Sequence, residues 1–138
     1  MKQLEFHKER LRTFGLRPTK QRLDICRILF DRKNTFHFTI EKLKKIIEKN
    51  NKKKISLATL YNTIHVLKKK GYLKEISLKG NKTFFDTNTK KHHHFYDEGM
   101  SQLIDIDDKN ISLNYLPKIP NGKKIKSIEV LVKIEKTN

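Results

Sequence analysis

Three consecutive histidines, His92, His93 and His94, are the residues whose types most suggest chemistry in this sequence. Such a run could be solvated surface, an accident of composition or a set of metal ligands. Neutral imidazole binds Fe(II), Mn(II) or Zn(II), and it also binds haem iron axially. On a β-strand, His92 and His94 would project from one face and His93 from the other. The pattern therefore predicts a ligand pair whose remaining partners come from elsewhere in the chain.

The charge balance indicates an anionic partner. The 138 residues include 32 lysines and arginines against 15 aspartates and glutamates, a formal net charge of +17. This excess suits nucleic acid, an anionic membrane surface or an acidic protein, although plain solvated lysine would account for part of it. No segment resembles a signal peptide or a membrane span of about 20 apolar residues. We therefore expect a cytoplasmic protein with no membrane partner.

Cys26 is the single cysteine of the sequence. Neither an internal disulfide nor a structural zinc site with four cysteines can form with one thiol. Cys26 lies in an apolar helical stripe, so we expect a small buried hydrophobe rather than a nucleophile.

Residues 1–87 have the pattern of helices followed by a short hairpin, and we expect one domain there. Helices are predicted to begin after the N-cap residues Thr19, Thr39 and Ser56, each followed by apolar residues at helical spacing. Two alternating segments around Lys-Gly-Asn then predict a two-stranded wing. The buried stripe expected in the last helix consists of Leu57, Leu60, Ile64 and Leu67.

This order of helices and hairpin is that of a winged helix-turn-helix. The helix after Ser56 would then lie in the major groove of DNA. Its outward side chains can donate and accept hydrogen bonds, while the methyl groups of Ala58 and Thr59 can meet thymine methyls. The alternative is an ordinary amphipathic helix with a solvated polar face.

Residues 88–138 have a β-rich pattern. The segments HHHFY and QLIDID flank a turn as two short strands. Ile128, Val130, Val132 and Ile134 predict a further strand of about 10 residues with one buried side. Because a unit of this size buries little apolar surface alone, we expect it to pair with a second copy. The sequence thus predicts an α+β protein, an N-terminal winged helix-turn-helix followed by a small β-rich dimerisation domain.

Several segments resemble the ferric uptake regulator family. They are GLRPTKQRLDICRILF, HFTIEKL, SLATLYNTIHVLKKKGYLKE and KTFFDTNTKKHHHF, and the resemblance runs from about Leu11 to Ile134. The segments FDTNT and LIDI, together with the histidine run, are most similar to the iron response regulator branch. The resemblance implies a homodimeric transcriptional regulator, not an enzyme, that binds an AT-rich operator in double-stranded DNA and responds to iron or haem.

The resemblance also implies DNA contacts in the N-terminal domain. Arg17 occupies the position that enters the minor groove, and Tyr61 a position that contacts thymine methyls and bases. Asn62 stands where many relatives carry arginine, which implies a different base preference. Further contacts to phosphates or bases are expected from Lys20, Arg22, Ser56, Thr59, His65 and Lys69.

The regulatory ligand site implied by the resemblance joins the two domains. Its matching positions are His37, Asp86, His92, His94 and Asp105. Imidazole nitrogens and carboxylate oxygens suit Fe, Mn or Zn. Haem is the signal in the iron response branch and lowers the regulator's activity, so haem is expected to weaken operator binding. The haem candidates are His92, His93 and His94.

Departures from the family pattern limit the cofactors. The cysteine pairs that hold structural zinc in relatives are absent, and one pair falls in the segment DEGMS. The Cys-Pro haem motif of some relatives is also missing, so any haem would depend on histidine. Lys91 stands where a fourth histidine often opens the run.

Two other classes of function remain open from the sequence. A packaging or ribosome-associated protein would explain the charge but not the histidines and their acids, and it would bind random duplexes as well as an operator. A metal-dependent hydrolase would need an open coordination position, a general base and a substrate cleft. A turnover assay would distinguish the hydrolase.

Overall fold

The computed structural model describes residues 2–138, with side chains from Gln3 onward. The chain forms two compact units that divide after Thr89. The N-terminal unit contains α1 (Lys2–Thr13), α2 (Lys20–Phe30), β1 (His37–Phe38), α3 (Ile40–Asn51), α4 (Leu57–Lys69), β2 (Lys74–Leu78) and β3 (Lys82–Asp86). The C-terminal unit contains β4 (His92–Asp97), β5 (Gln102–Asp107), a 3-10 turn (Asp108–Asn110) and β6 (Leu131–Ile134). No helix within residues 2–138 has the length and hydrophobicity of a membrane-spanning segment.

Hydroxyl side chains begin three of the four helices. Thr19, Thr39 and Ser56 are the N-caps of α2, α3 and α4, and each side chain accepts a hydrogen bond from the backbone N–H three residues later. Such caps satisfy N–H groups that the first turn leaves without helical partners. The predicted starts of these helices are confirmed, and so is the α+β class with a winged helix.

The core of the N-terminal unit is built on aromatic residues of the small sheet. Phe38 is fully buried and stacks on both Phe36 and Phe85, with ring centroids 5.6 Å apart in each pair. From α4, the side chains of Leu60, Ile64 and Leu67 join this cluster.

The predicted burial of Leu57 is wrong. This side chain is 50% exposed. Leu57 is the first residue of α4, directly after the cap Ser56. Leu60, Ile64 and Leu67 form the buried stripe with Thr63, whereas Leu57 and Tyr61, one turn apart on another face, are exposed to solvent.

The N-terminal sheet has the strand order β1-β3-β2, with all strands antiparallel. β2 and β3 are the predicted hairpin, whereas β1 was not predicted. A two-residue strand has no measurable alternation, so only its pairing partner reveals it. The pairing places His37 of β1 directly opposite Asp86 of β3.

The C-terminal sheet has the order β5-β4-β6, with β4 antiparallel to β5 and parallel to β6. The prediction of a strand of about 10 residues at the end of the chain is wrong, because β6 has only four residues. β6 pairs from His94 with Leu131 to Asp97 with Ile134. β4 begins at His92, only two residues before the partner of Leu131. The chain more than two residues before Leu131 therefore has no β4 residue with which to pair, and β6 stays short.

A carboxylate in α3 fastens the loop that leads to α4. Glu48 accepts hydrogen bonds from Lys44 Nζ and from the Ile55 backbone N–H, each at 2.9 Å. These hydrogen bonds, with the Lys44 contact the larger cause, lower the pKa of Glu48 from its ordinary value of 4.5. The ionised side chain therefore stabilises the folded state.

The lowered pKa predicts a pH-dependent contribution to stability. The contribution of Glu48 should be fully present above about pH 4.5 and should be lost as the pH falls through the lowered folded-state pKa. Glu48→Gln should remove that part of the pH dependence, measured by urea unfolding between pH 3 and pH 7. Glu135→Gln, which removes an exposed carboxylate in the C-terminal unit, is the control. Equal profiles for Glu48→Gln and wild type would contradict the assignment.

Candidate functional site

The N-terminal unit holds an imidazole and a carboxylate at the edge of its sheet. His37 Nε2 lies 3.1 Å from Asp86 Oδ2, and the Asp86 side chain has no solvent exposure. Asp86 Oδ1 accepts a hydrogen bond from the Asn88 backbone N–H at 2.8 Å. Thr87 and Phe36 are joined by two hydrogen bonds, of 3.1 and 2.9 Å, which hold the two segments together beside the pair. We call His37 and Asp86 the N-terminal pair.

The C-terminal unit holds two imidazoles and a carboxylate on adjacent strands. The ring centroids of His92 and His94 lie 4.5 Å apart on one face of β4. Their Nε2 atoms lie 3.3 and 3.2 Å from the same oxygen, Oδ1 of Asp105. One ligand atom from each of the three residues lies within 4.8 Å of the others. We call His92, His94 and Asp105 the C-terminal trio.

The hydrogen-bond partner of His92 indicates which of its two ring nitrogens carries the hydrogen in the neutral side chain. Nδ1 of His92 lies 2.6 Å from the Lys90 carbonyl oxygen, which can only accept, so Nδ1 carries the hydrogen. In neutral His92, Nε2 then presents its lone pair to the carboxylate of Asp105 at 3.3 Å. Two acceptors at this distance repel each other unless a proton or a metal ion lies between them. A backbone carbonyl that fixes the tautomer in this way is typical of metal-binding histidine.

The donor set fits a divalent cation. Imidazole nitrogen and carboxylate oxygen are ligands of Fe(II), Mn(II) and Zn(II), and a carboxylate compensates part of the cation's charge. The C-terminal trio supplies two nitrogens and an oxygen, and the N-terminal pair supplies one of each. Both clusters therefore have the chemistry of metal ligands.

His93 has a different role from its neighbours. It is 3% exposed on the other face of β4. Its Nδ1 accepts a hydrogen bond from the Val130 backbone N–H at 2.9 Å, and its Nε2 donates to Asp108 Oδ1 at 2.8 Å. The hydrogen bond from His93, followed by the charge of Lys91, lowers the pKa of Asp108. Both ring nitrogens are used within the unit, so the structure disfavours His93 as a haem ligand.

Replacing His93 should therefore destabilise the C-terminal unit. In His93→Leu the Val130 N–H loses its acceptor, which should cost about 1–3 kcal/mol of unfolding free energy. Hydrogen exchange at the Val130 amide should accelerate accordingly. Lys91→Leu, at an exposed position two residues earlier, should leave that exchange rate nearly unchanged. Equal protection of the Val130 amide in wild type and His93→Leu would show that the hydrogen bond contributes little.

The outward face of α4 carries polar and aromatic side chains. Tyr61 is 56% exposed, and Asn62, His65 and Lys69 are also exposed. Ser56 Oγ accepts a hydrogen bond from the Thr59 N–H at 3.3 Å. Ser56 and Thr59, both expected to contact DNA, therefore form the N-terminal cap of this helix. The DNA contacts of these residues stay predictions.

A hydrogen bond links Arg22, in the first turn of α2, to Arg17, in the segment before that helix. Arg22 Nη1 donates to the Arg17 backbone oxygen at 2.9 Å, while Arg17 and Lys20 are exposed. Arg22 is half-buried and holds the backbone of the Arg17 turn, and the DNA contacts expected of Arg17, Lys20 and Arg22 stay predictions.

Sequence reasoning missed contacts that depend on strand pairing. It gave no role to Asn88 or Asp108, which bind Asp86 and His93. It also gave no role to His7, which is 2% exposed and lies 2.8 Å from Asp31. The spacing of 24 residues between His7 and Asp31 offers no signal that could have predicted this pair.

Comparisons with known proteins agree on the family. The sequence profile of the Ferric uptake regulator family matches residues 13–134. The peroxide-responsive repressor of Staphylococcus aureus is 32% identical over 96 residues, which are 70% of this chain and 63% of the repressor. The chain thus spans less than two thirds of the length of the curated relatives it matches.

Solved structures show the same fold. The Vibrio cholerae ferric uptake regulator matches with a TM-score of 0.69 and 21% identity, covering 93% of this chain and 98% of the regulator. The ferric uptake regulator of Helicobacter pylori, described as having three functional metal binding sites, matches with a TM-score of 0.67 and 18% identity. That match covers 96% of this chain and 90% of the Helicobacter protein.

Proposed function

Because the chain belongs to the ferric uptake regulator family, we propose that it is a metal-responsive transcriptional regulator that binds operator DNA as a homodimer. The observation that carries the metal response is the C-terminal trio, in which the Nε2 atoms of two imidazoles converge on one carboxylate oxygen. The net charge of +17 supports a nucleic-acid partner. We further propose that this regulator is cytoplasmic and has no enzymatic activity.

The proposed metal site combines the N-terminal pair with the C-terminal trio. The pair offers two donors and the trio three, and a four- to six-coordinate cation needs more than either supplies. A cation that binds residues of both units would restrict the arrangement of those units. Since a dimer reads two DNA half-sites at a fixed spacing, metal affinity and DNA affinity would be coupled, by about 1–3 kcal/mol and in both directions.

A row of apolar side chains supports the homodimer. Phe95 of β4 pairs with Ile104 of β5 and Val132 of β6, so the three residues align across the sheet. Their side chains are 36%, 48% and 36% exposed. Burying this row against a second copy would remove apolar surface from water, at about 25 cal/mol per Å².

Iron is the proposed signal, and two alternatives follow from specific observations. The similarity of FDTNT and the histidine run to the iron response regulator branch favours haem, but the contacts of His93 and the shared Asp105 oxygen favour a small cation. The 32% identity to a peroxide-responsive repressor favours a response to peroxide. Operator binding measured with Fe(II), Mn(II) and haem, each with and without hydrogen peroxide, distinguishes the three.

A matched pair of aspartates on β5 tests the metal site. Asp105→Asn should weaken Mn(II) binding about 10- to 100-fold, because it removes the negative charge of the group that both imidazoles face and replaces one of its two oxygens with an amide nitrogen. Asp107→Asn lies two residues away, is exposed, and should change Mn(II) affinity little. Isothermal titration with Mn(II) measures both. Equal affinities in the two variants would contradict the C-terminal trio as a metal site.

The recognition helix is tested with operator and random duplexes. Tyr61→Ala should cost about 1–3 kcal/mol on an AT-rich operator and relax discrimination against random DNA. Lys69→Ala should weaken binding to both duplexes alike and reduce the salt dependence of affinity by about one unit. If Tyr61→Ala retained full discrimination, α4 would not be the reading element. Wild-type protein that bound random duplexes as tightly as the operator would favour a packaging protein instead.

A further inference from the structure

An aromatic cavity in the N-terminal unit lies outside both His/Asp clusters. It has a volume of 380 Å³ and is formed by α1, the end of α2, and segments that follow α4 and β3. Its lining residues include Phe6, His7, Arg10, Asp31 and Tyr72. The volume suffices for a molecule of one or two rings.

The guanidinium group of Arg10 is the cationic centre of this cavity. Its central carbon lies 4.5 Å from the ring centroid of Phe6, 4.3 Å from that of Tyr72 and 5.4 Å from that of Phe30. The rings lie against the flat guanidinium group in cation–π contacts, so the N–H groups at its edge remain available for hydrogen bonds. Among the described residues, no hydrogen bond or ion pair satisfies that edge, so Arg10 is a positive charge with unused donors.

Asp31, the acidic residue that lines the cavity, already has a hydrogen-bond partner. Asp31 Oδ1 lies 2.8 Å from His7 Nε2, so this carboxylate binds His7 rather than Arg10. His7 is 2% exposed, and its Nδ1 is buried with no partner among the described residues. Because Nε2 donates to Asp31, Nδ1 is an acceptor, and a bound molecule could satisfy it only with an O–H or N–H donor.

We propose that this cavity binds a small aromatic carboxylate. A carboxylate matches the forked N–H edge of Arg10 through two parallel hydrogen bonds. An aromatic ring attached to it packs against the exposed ring surfaces of Phe6 and Tyr72, which are 55% and 37% exposed. The combination favours an aromatic acid over an aliphatic acid or an inorganic anion, which would use Arg10 alone.

The test uses the full chain and benzoate as the probe, with amide chemical shifts as the measurement. Benzoate should shift the amides of Phe6, His7 and Tyr72 in a saturable way. Acetate and inorganic phosphate at the same concentrations should not. Arg10→Gln should weaken benzoate binding by about tenfold or more, the loss of hydrogen bonds to a charged group. Arg12→Gln is the matched control, because Arg12 lies on the same helix but pairs with Glu9 at the surface.

Two outcomes would overturn the proposal. One is an equal response to benzoate, acetate and phosphate, and the other is equal benzoate affinity in Arg10→Gln and Arg12→Gln. If Arg10→Gln unfolds, Phe6→Leu replaces it, since this exposed ring can be removed without opening the core. Phe6→Leu should weaken benzoate binding severalfold, and unchanged affinity in that variant would also overturn the proposal.

Discussion

The carboxylate of Asp86 has no contact with solvent, and its charge must be compensated by neighbouring groups. An uncompensated buried charge costs several kcal/mol, so the surroundings of Asp86 are constrained more strongly than those of a surface acid. The antiparallel pairing of β1 with β3 brings His37 to one oxygen, and the turn after β3 brings the Asn88 N–H to the other. The same pairing aligns Phe38 with Phe85 in the aromatic core. Charge compensation and hydrophobic packing therefore depend on one strand register.

Strand periodicity separates the functions of three adjacent histidines. His92 and His94 share a face of β4 and meet Asp105. His93 on the opposite face binds Val130, the residue before β6, and Asp108 of the 3-10 turn. A shift of one residue in register would exchange the two faces. The hydrogen bonds of His93 therefore help to keep the other two imidazoles directed at the carboxylate.

The helix proposed to read DNA is positioned by ordinary capping and packing. Ser56 begins α4, and Leu60, Ile64 and Leu67 hold its inner face in the core. Lys68 at its end pairs with Glu75 of β2 at 2.9 Å, which links the helix to the hairpin. The polar residues on the outer face of α4 are therefore positioned by the buried residues on its inner face.

Elements whose signals are local could be predicted from the amino-acid sequence alone. Caps at Thr19, Thr39 and Ser56 predicted the starts of three helices, and alternation predicted the β2–β3 hairpin. Two short segments around a turn predicted β4 and β5, and the histidine run indicated ligand chemistry. The resemblance to the family added the acids, which no spacing in the sequence connects to the histidines. Tertiary structure decided what depends on distant pairing, namely the strand β1, the four-residue length of β6, and the contacts of His93 and His7. These features arise between residues separated by tens of positions, and a local pattern contains no information about which distant group will compensate a buried charge or end a strand.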